Sequence, residues 1–304
     1  MSAGLAVVRP GSLTTIQDLG RPKLRAAGIS PGGAEDTFAH AAANLLVGNP
    51  RSAPTLECTI NGPALMALRP LVIAVTGADM GLSINGHLTP GWTSTFVAAG
   101  ELISLEGRTW GARAYLAVAG GFTGEKWLGS MSTHLLAGRG GHHGRALRTG
   151  DELEVASHLG PSPAIDRTLG EAARPDYASP NVGALAGPHM TSRTIFESRY
   201  RVSALSDRMG ARLEGPPLPS SGGELLSFPL AAGCVQAPKG GEPILLLADH
   251  PTCGGYPVIA TVATACMPRA AQLAPGDEIG FEEIDHLQAR ALAHRLEAAL
   301  LCLA

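Results

Sequence analysis

Residues 274–281 read APGDEIGF, and the same pattern occurs twice earlier, as AAGELISL at 98–105 and RTGDELEV at 148–155. Each copy runs from a small residue through a glycine and an acid into alternating apolar positions. That order describes a tight turn feeding a half-buried strand, with the acid held at the turn. A recurrent turn of β-rich proteins accounts for the acid better than a chemical role does. The second and third copies fall near the ends of the two halves of the chain, which predicts two related β-barrels.

The rest of the chain is punctuated in the same way. Short apolar runs lie between glycines and prolines: AVV at 6–8, LVIAVTG at 71–77, STFVAAG at 94–100, ARAYLAVAGG at 112–121, PILLLA at 243–248 and PVIATVATA at 257–265. The expected fold is mostly β with minor α. Two helices are expected. DTFAHAAANLLVGN at 36–49 has Asp36 at the cap position and Gly48 near its stop. EEIDHLQARALAHRLEAALLCLA at 282–304 opens with acids and carries Ile284, Leu287, Leu292, Leu296, Leu300 and Leu303 as one apolar stripe. Prolines at 161, 163, 175, 180 and 188 make 156–190 the expected linker or long loop. It would separate a barrel at 1–155 from a second barrel with a C-terminal helix at 191–304.

Composition bounds the function. A chain of 304 residues is long enough for two domains. Aromatics are 4%, so its cores must be built from aliphatic residues. The net charge of −3 gives no electrostatic reason to expect nucleic acid or an anionic membrane as partner. The longest apolar runs are far shorter than the ~20 residues of a membrane helix, and MSAGLAVVRPG lacks a signal-peptide core. A cytoplasmic protein is expected. Five scattered cysteines without CxxC spacing argue against a disulfide framework or a structural zinc, and most are expected to be small buried hydrophobes.

Polar clusters mark candidate sites. TTIQDLGRP (14–22) puts Gln17, Asp18 and Arg21 within five residues. An amide and a planar guanidinium can hold a carboxylate- or amide-bearing ligand, and the same residues also form a turn closed by an Asp–Arg pair. VTGADMG (75–81) places Asp79 at a strand end. SALSDRMGARLEG (203–215) concentrates Asp207, Arg208 and Arg212, which serve a site or a surface ion-pair turn. ADHPTCGGYPVIA (248–260) brings Asp249, His250 and Cys253 together before Gly254 and Gly255, and raises the possibility of a thiol nucleophile. GRGGHHGRALRTG (138–150) offers backbone N–H groups to an anion, but adjacent His142 and His143 make a poor metal pair, and no metal site is expected. Only Lys23, Lys126 and Lys239 are present, none in a phosphate-binding loop and none in a Met-Lys pair. Any ATP or biotin must be bound or carried by another polypeptide.

Taken in order, TTIQDLGRP, PGGAED (31–36), ANLLVGN (43–49), Leu56-Glu57, TGADMG, ARAYLAVAGG, GSMST (129–133), SDRMGARLEGP (206–216) and GGYPVIATV resemble the biotin-dependent carboxyltransferase, or allophanate hydrolase subunit 2, family. That family includes the C component of 5-oxoprolinase and KipA-like proteins. The resemblance covers nearly the whole chain except 156–190. It implies two cyclophilin-like β-barrel subdomains and a partner of the subunit 1 type, which is the B component in 5-oxoprolinase. A LamB/YcsF-type A component is implied as a further partner. Position by position the resemblance carries over Gln17, Asp18, Arg21, Asp36, Asn44, Glu57, Asp79, Asp207, Arg208, Arg212, Gln236, Asp249, Thr252 and Tyr256. Gly32 and Glu35 depart from a pattern that has serine and methionine there. Cys253 stands where threonine is usual, and His250 where the residue varies, so thiol catalysis gives way to a polar corner ended by Asp249 and opened by Gly254 and Gly255.

The resemblance implies the C component of an ATP-dependent 5-oxoprolinase, which opens 5-oxoproline to L-glutamate with its partners and is inactive alone. Arg21, Arg208 and Arg212 would then bind anions or the substrate carboxylate. Asp18, Asp79, Asp207 and Asp249 would transfer protons or orient those arginines. Gln17, Asp36, Gln236, Thr252, Gly254, Gly255 and Tyr256 would complete substrate binding. Two alternatives remain: a carboxyltransferase for urea-like amides with carboxybiotin supplied in trans, and a KipA-like regulatory binding protein without turnover.

Overall fold

The computed structural model describes residues 2–157, 165–219 and 225–304. The protein is mostly β, as its sequence predicts. The chain divides into two compact units: Met1–Gly20 with Asp36–Arg174 and Ala298–Ala304, and Arg21–Glu35 with Pro175–Glu297. This differs from single cuts at 155 and 190. The second unit begins at Pro175 and also takes in residues 21–35. Within the expected linker, Asn181–Ala186 is a barrel strand; Pro161 and Pro163 lie outside the described residues.

The first unit contains β1 (Ser2–Arg9), β2 (Leu13–Gln17), β3 (Thr55–Thr59), β4 (Ala64–Ala67), β5 (Leu71–Asp79), β6 (Leu82–Ile84), β7 (His87–Leu88), β8 (Ser94–Val97), β9 (Leu102–Leu105), β10 (Trp110–Val118) and β11 (Glu152–Val155). They form a six-stranded sheet, β11-β1-β4-β9-β6-β7, and a five-stranded sheet, β2-β3-β10-β5-β8. Leu5, Val7, Leu65 and Ile103 of the first sheet and Ile16, Leu56, Leu116 and Ile73 of the second share one core.

The second sheet is buried on both faces, and its two faces differ. Strand register places Ile16, Leu56, Leu116 and Val75 side by side across four strands, all in the hydrophobic core. One residue earlier on β2 and β10, and one later on β3 and β5, Thr15, Glu57, Tyr115 and Thr76 make a second row. Side chains alternate along a strand, so this polar row lies on the opposite face. Helix α1 (Thr37–Leu46) covers it: Thr76 Oγ1 donates to the Ala39 carbonyl at 2.7 Å. Asp36 caps α1 as expected, its Oδ1 accepting the Ala39 N–H at 2.9 Å.

The three sequence repeats are one turn used three times. Glu101, Asp151 and Asp277 each accept the N–H of the residue three positions earlier (Ala98, Arg148 and Ala274), at 2.7, 2.7 and 2.9 Å. Gly100, Gly150 and Gly276 have φ of 84°, 88° and 90°, the left-handed region that a side chain disfavours. The acids therefore close turns.

In the second unit, β12 (Asn181–Ala186), β13 (Arg199–Val202), β14 (Gly210–Glu214), β15 (Phe228–Pro229), β16 (Cys234–Gln236), β17 (Ile244–Leu246), β18 (Cys253–Gly254), β19 (Val258–Val262) and β20 (Glu278–Glu283) are the strands. Seven of them close a barrel in the order β12-β19-β16-β17-β14-β13-β20, and a parallel β12–β20 pair completes the ring. β15 and β18 pair separately. Val182, Ala184, Tyr200, Ala211, Leu213, Ile279 and Phe281 fill the barrel. Among the described residues the closed ring lies in this unit, and the first unit has two sheets about one core.

Among the described residues three further α-helices, α2 (Thr194–Glu197), α3 (Met267–Ala271) and α4 (His286–Leu301), follow α1. α4 starts four residues later than its charge pattern suggests, because Glu278–Glu283 is the closing strand. Leu296 and Leu300 are buried but Leu287 is 74% exposed, so the expected stripe is shorter. Cys58 and Cys234 are buried, whereas Cys253 and Cys302 are exposed, so burial of most cysteines does not hold.

Candidate functional site

Gln17 ends β2 and Asp18 follows it, where GSMST returns. Asp18 Oδ1 accepts Ser130 Oγ and Ser132 Oγ at 2.6 Å each and the Gly20 N–H at 2.7 Å, while Oδ2 accepts the Met131 N–H at 2.6 Å. Burial by itself would raise the Asp18 pKa. The hydrogen bonds from Ser130, Ser132, Met131 and Gly20 together outweigh it and hold the carboxyl below its ordinary value. The carboxylate is thus ionised and clasped. Gln17 is fully buried; its Nε2 donates to Thr15 Oγ1 at 2.9 Å and to the Thr133 carbonyl at 3.3 Å. Its Oε1 finds no donor among the described residues.

Above the same sheet, Asp36 N–H donates to the Tyr115 hydroxyl at 2.8 Å, and that hydroxyl donates to Glu57 Oε2 at 2.8 Å. All three residues are buried. Burial, then Glu57 and Asp36, push the Tyr115 pKa well above its ordinary value, so the phenol stays a donor. His40 sits beside this chain, its Nδ1 2.9 Å from Thr55 Oγ1. Burial drives its pKa down to about 4, against the opposing pull of Asp18 and Glu57. Asn44 donates to the Ala53 carbonyl at 2.7 Å and accepts from Asn49 at 3.1 Å, which ties the end of α1 to the following turn.

The depressed His40 pKa has a consequence for stability. The unfolded chain takes up a proton near pH 6.5, whereas the folded chain resists until about pH 4. Stability is therefore full above pH 6.5 and is lost as pH falls towards 4, by about 3 kcal/mol in all. Chemical denaturation at stepped pH should show this slope in the wild type and a shallower one in His40→Gln. Equal slopes would contradict it.

The second unit holds the other polar centre. Arg208, 7% exposed, donates through Nε to Asp249 Oδ2 at 2.9 Å and through Nη2 to the Gly33 carbonyl at 2.6 Å and to Asp249 Oδ1 at 3.3 Å. Glu35 Oε1 lies 3.7 Å from Arg208 Nη1. The backbone is stitched around this pair: Asp249 N–H donates to the Arg208 carbonyl, Gly32 N–H to the Ala248 carbonyl, and Arg21 N–H to the Pro31 carbonyl. Gly32, at φ 62°, lacks a side chain where a Cβ would stand 3.0 Å from Arg21 Nη1 and 3.5 Å from Asp249 Oδ1. A guanidinium nitrogen and a carboxylate oxygen thus lie against the bare backbone of Gly32, where a side chain would crowd the guanidinium.

Gln236 and the GGYP loop lie in the same unit. Gln236 Nε2 donates to the Tyr256 carbonyl at 3.3 Å, and a Cβ on Gly254 would stand 3.5 Å from that nitrogen and 2.9 Å from Leu230. The Thr252 carbonyl accepts the Leu230 N–H, and the Tyr256 side chain is 49% exposed. Arg21, Arg208 and Asp249 are brought together, as are Gln236, Gly254 and Tyr256. Three expected site residues stand apart. Asp79 accepts the Gly81 N–H in its own turn, and Asp207 accepts the Met209 and Gly210 N–H groups in its turn. Arg212, between inward Ala211 and Leu213, projects outward and is exposed.

Cys253 is exposed on β18, while His250 is buried and its Nδ1 engages the Pro251 carbonyl at 2.8 Å. Burial lowers the His250 pKa. No base is paired with the thiol among the described residues. Cys253→Thr is expected to retain activity within about twofold of the wild type, because nothing it packs against is lost. Loss of turnover in that variant alone would restore the nucleophile.

Sequence reasoning overlooked His40, Tyr115, Ser130, Ser132 and Glu35 as polar partners. The signal for Tyr115 was present in the alternation of β10, where it stands between inward Ala114 and Leu116 opposite Glu57. Among the described residues no group of three or more His, Cys, Asp or Glu is arranged to hold a metal, and no helix is long and apolar enough to cross a membrane.

A family model described as carboxyltransferase domain, subdomain A and B, matches residues 27–283. The C component of 5-oxoprolinase from Escherichia coli (strain K12) is 38% identical over 285 residues, which cover 91% of this chain and 90% of that protein. The C component of 5-oxoprolinase from Haemophilus influenzae is 35% identical over 296 residues, covering 95% of this chain and 94% of that protein. The crystal structure of K. lactis urea amidolyase matches with a TM-score of 0.92 at 29% identity, over 99% of this chain and 20% of that one.

Proposed function

The chain belongs to the carboxyltransferase-domain family of joined subdomains A and B, and we propose that it is the C component of an ATP-dependent 5-oxoprolinase. In that role it helps open the lactam of 5-oxoproline to L-glutamate together with a B-type partner and a LamB/YcsF-type partner. Two relatives that align over nine-tenths or more of their length are named as that component.

One observation in the structure supports the reading: Arg21 Nη1 and Asp249 Oδ1 both lie against the bare backbone of Gly32. A lactam acid presents a carboxylate and an N–H, and a guanidinium beside a carboxylate oxygen complements both. Arg21 is assigned to the substrate carboxylate and Asp249 to the amide N–H. Arg208 is a positioning residue, since its donors are committed to Asp249 and Gly33. Asp18 is likewise a positioning residue, its oxygens already occupied by four donors.

The sequence of this chain carries no lysine-bearing phosphate-binding loop. Its three lysines, Lys23, Lys126 and Lys239, are all exposed, and none belongs to a phosphate-binding loop. We assign activation of the poor acyl donor to the partners, and binding and orientation to this chain. It carries no biotin attachment site either.

The match to urea amidolyase over 99% of this chain favours one second reading, carboxyl transfer to a urea-like amide from carboxybiotin held on another chain. Parallel assays separate the two. Partner subunits, ATP and 5-oxoproline should yield glutamate, while a biotin carboxylase, its carrier and urea should give no carboxylated product. The reverse result selects the transferase.

A further inference from the structure

The barrel unit has a cleft of about 190 Å3 beside α4, lined by residues the lactam reading does not use. Leu292 and Leu296 of the helix form its apolar wall. Four charged side chains complete it: Arg269 and Arg295, Asp176 and Glu282. Among the described residues these charges do not pair with one another. Arg269, half-buried, uses Nε to donate to the Ser179 carbonyl at 2.8 Å, and Asp176 accepts the Ser179 N–H at 3.1 Å. The Arg269 terminal nitrogens make no hydrogen bond within the described residues. Burial disfavours the charge on this guanidinium, and the fields of Asp277 and Asp176 offset that only in part.

Asp176, Glu282 and Arg295 are exposed, and two cations and two anions set separately around a small cleft with an aliphatic wall complement a ligand that carries both signs. The cleft is smaller than the ~300 Å3 at which drug-sized pockets begin, which suits a molecule of a few heavy atoms. We propose that this cleft binds a small α-amino acid as its zwitterion. The α-carboxylate meets Arg269 and Arg295, the ammonium meets Asp176 and Glu282, and the side chain lies along Leu292 and Leu296. The site stands on these charges alone and does not depend on the lactam reading, although the amino acid released by lactam opening belongs to the same class.

Calorimetric titration of the full-length chain with glycine, L-alanine, L-leucine and L-glutamate tests the proposal. At least one should bind saturably, and acetate and methylamine, each carrying one sign only, should bind about tenfold more weakly or worse. Arg295 is exposed, so Arg295→Glu should keep the wild-type melting temperature yet weaken amino-acid binding about tenfold or more. Glu282→Gln should weaken it in the same direction. No saturable binding of any of the four up to about 10 mM overturns the proposal. So does binding that survives Arg295→Glu but is lost in Arg21→Ala, which places the amino acid at the lactam site and leaves that reading intact.

Discussion

Asp249→Ala is expected to abolish glutamate formation by the assembled enzyme and to destabilise the chain by about 3–5 kcal/mol. Arg208 is 7% exposed, and Asp249 takes two of its hydrogen bonds. Truncation leaves a buried guanidinium facing the Gly33 carbonyl and a more distant Glu35. The loss is structural and functional together, since the same carboxylate lies with Arg21 against the bare backbone of Gly32 and is assigned to the substrate amide. Asp249→Asn restores only part of this. Its amide oxygen still accepts one Arg208 N–H, but its NH2 turns a donor towards the other and the neutralising charge is lost, so only part of the stability should return and the binding of 5-oxoproline should stay weak. Denaturant midpoints together with kcat and KM provide the check. A stable and fully active Asp249→Ala protein would remove Asp249 from the account.

Asp18→Ala is the second large effect, with an expected loss of about 3 kcal/mol. It strands the Met131 and Gly20 N–H groups and two serine hydroxyls, and Ser130 and Ser132 are almost wholly buried. The hydroxyls can turn to other acceptors; the backbone donors cannot. Asp18→Asn should recover little, because one arm of the amide turns donor against donors. Because the folded Asp18 pKa lies below its ordinary value, this contribution is present above the unfolded carboxyl pKa and lost as pH falls below it. The penalty of Asp18→Ala should therefore shrink in acid. A penalty that stays constant from neutral pH to about pH 3 would show that Asp18 does not act through its charge.

Much of the architecture is legible in the sequence because local chemistry sets it. The turn seen in AAGELISL, RTGDELEV and APGDEIGF depends only on a glycine able to take positive φ and an acid one residue on, and it forms at all three places. Asp36 likewise caps the helix it precedes. The division of the chain is not local. Residues 21–35 join the second unit through bonds such as Gly32 N–H to Ala248 and Arg208 to Gly33, across more than 170 residues of chain that no periodicity records. The candidate site shows the same limit. Arg21, Arg208 and Asp249 were legible as polar residues in apolar surroundings, but only the fold gathers them and turns Asp79, Asp207 and Arg212 aside. Tyr115 and His40 were masked by apolar neighbours, although strand alternation places Tyr115 on the polar face.

The central claim is that this chain supplies the lactam-binding part of a 5-oxoprolinase. Its most direct test is to titrate the chain into fixed amounts of the LamB/YcsF-type and B-type partners and follow L-glutamate released from 5-oxoproline. The predicted result is a saturating rise in glutamate that requires ATP and all three proteins. No glutamate at any ratio, under conditions where the Escherichia coli complex is active, would contradict it.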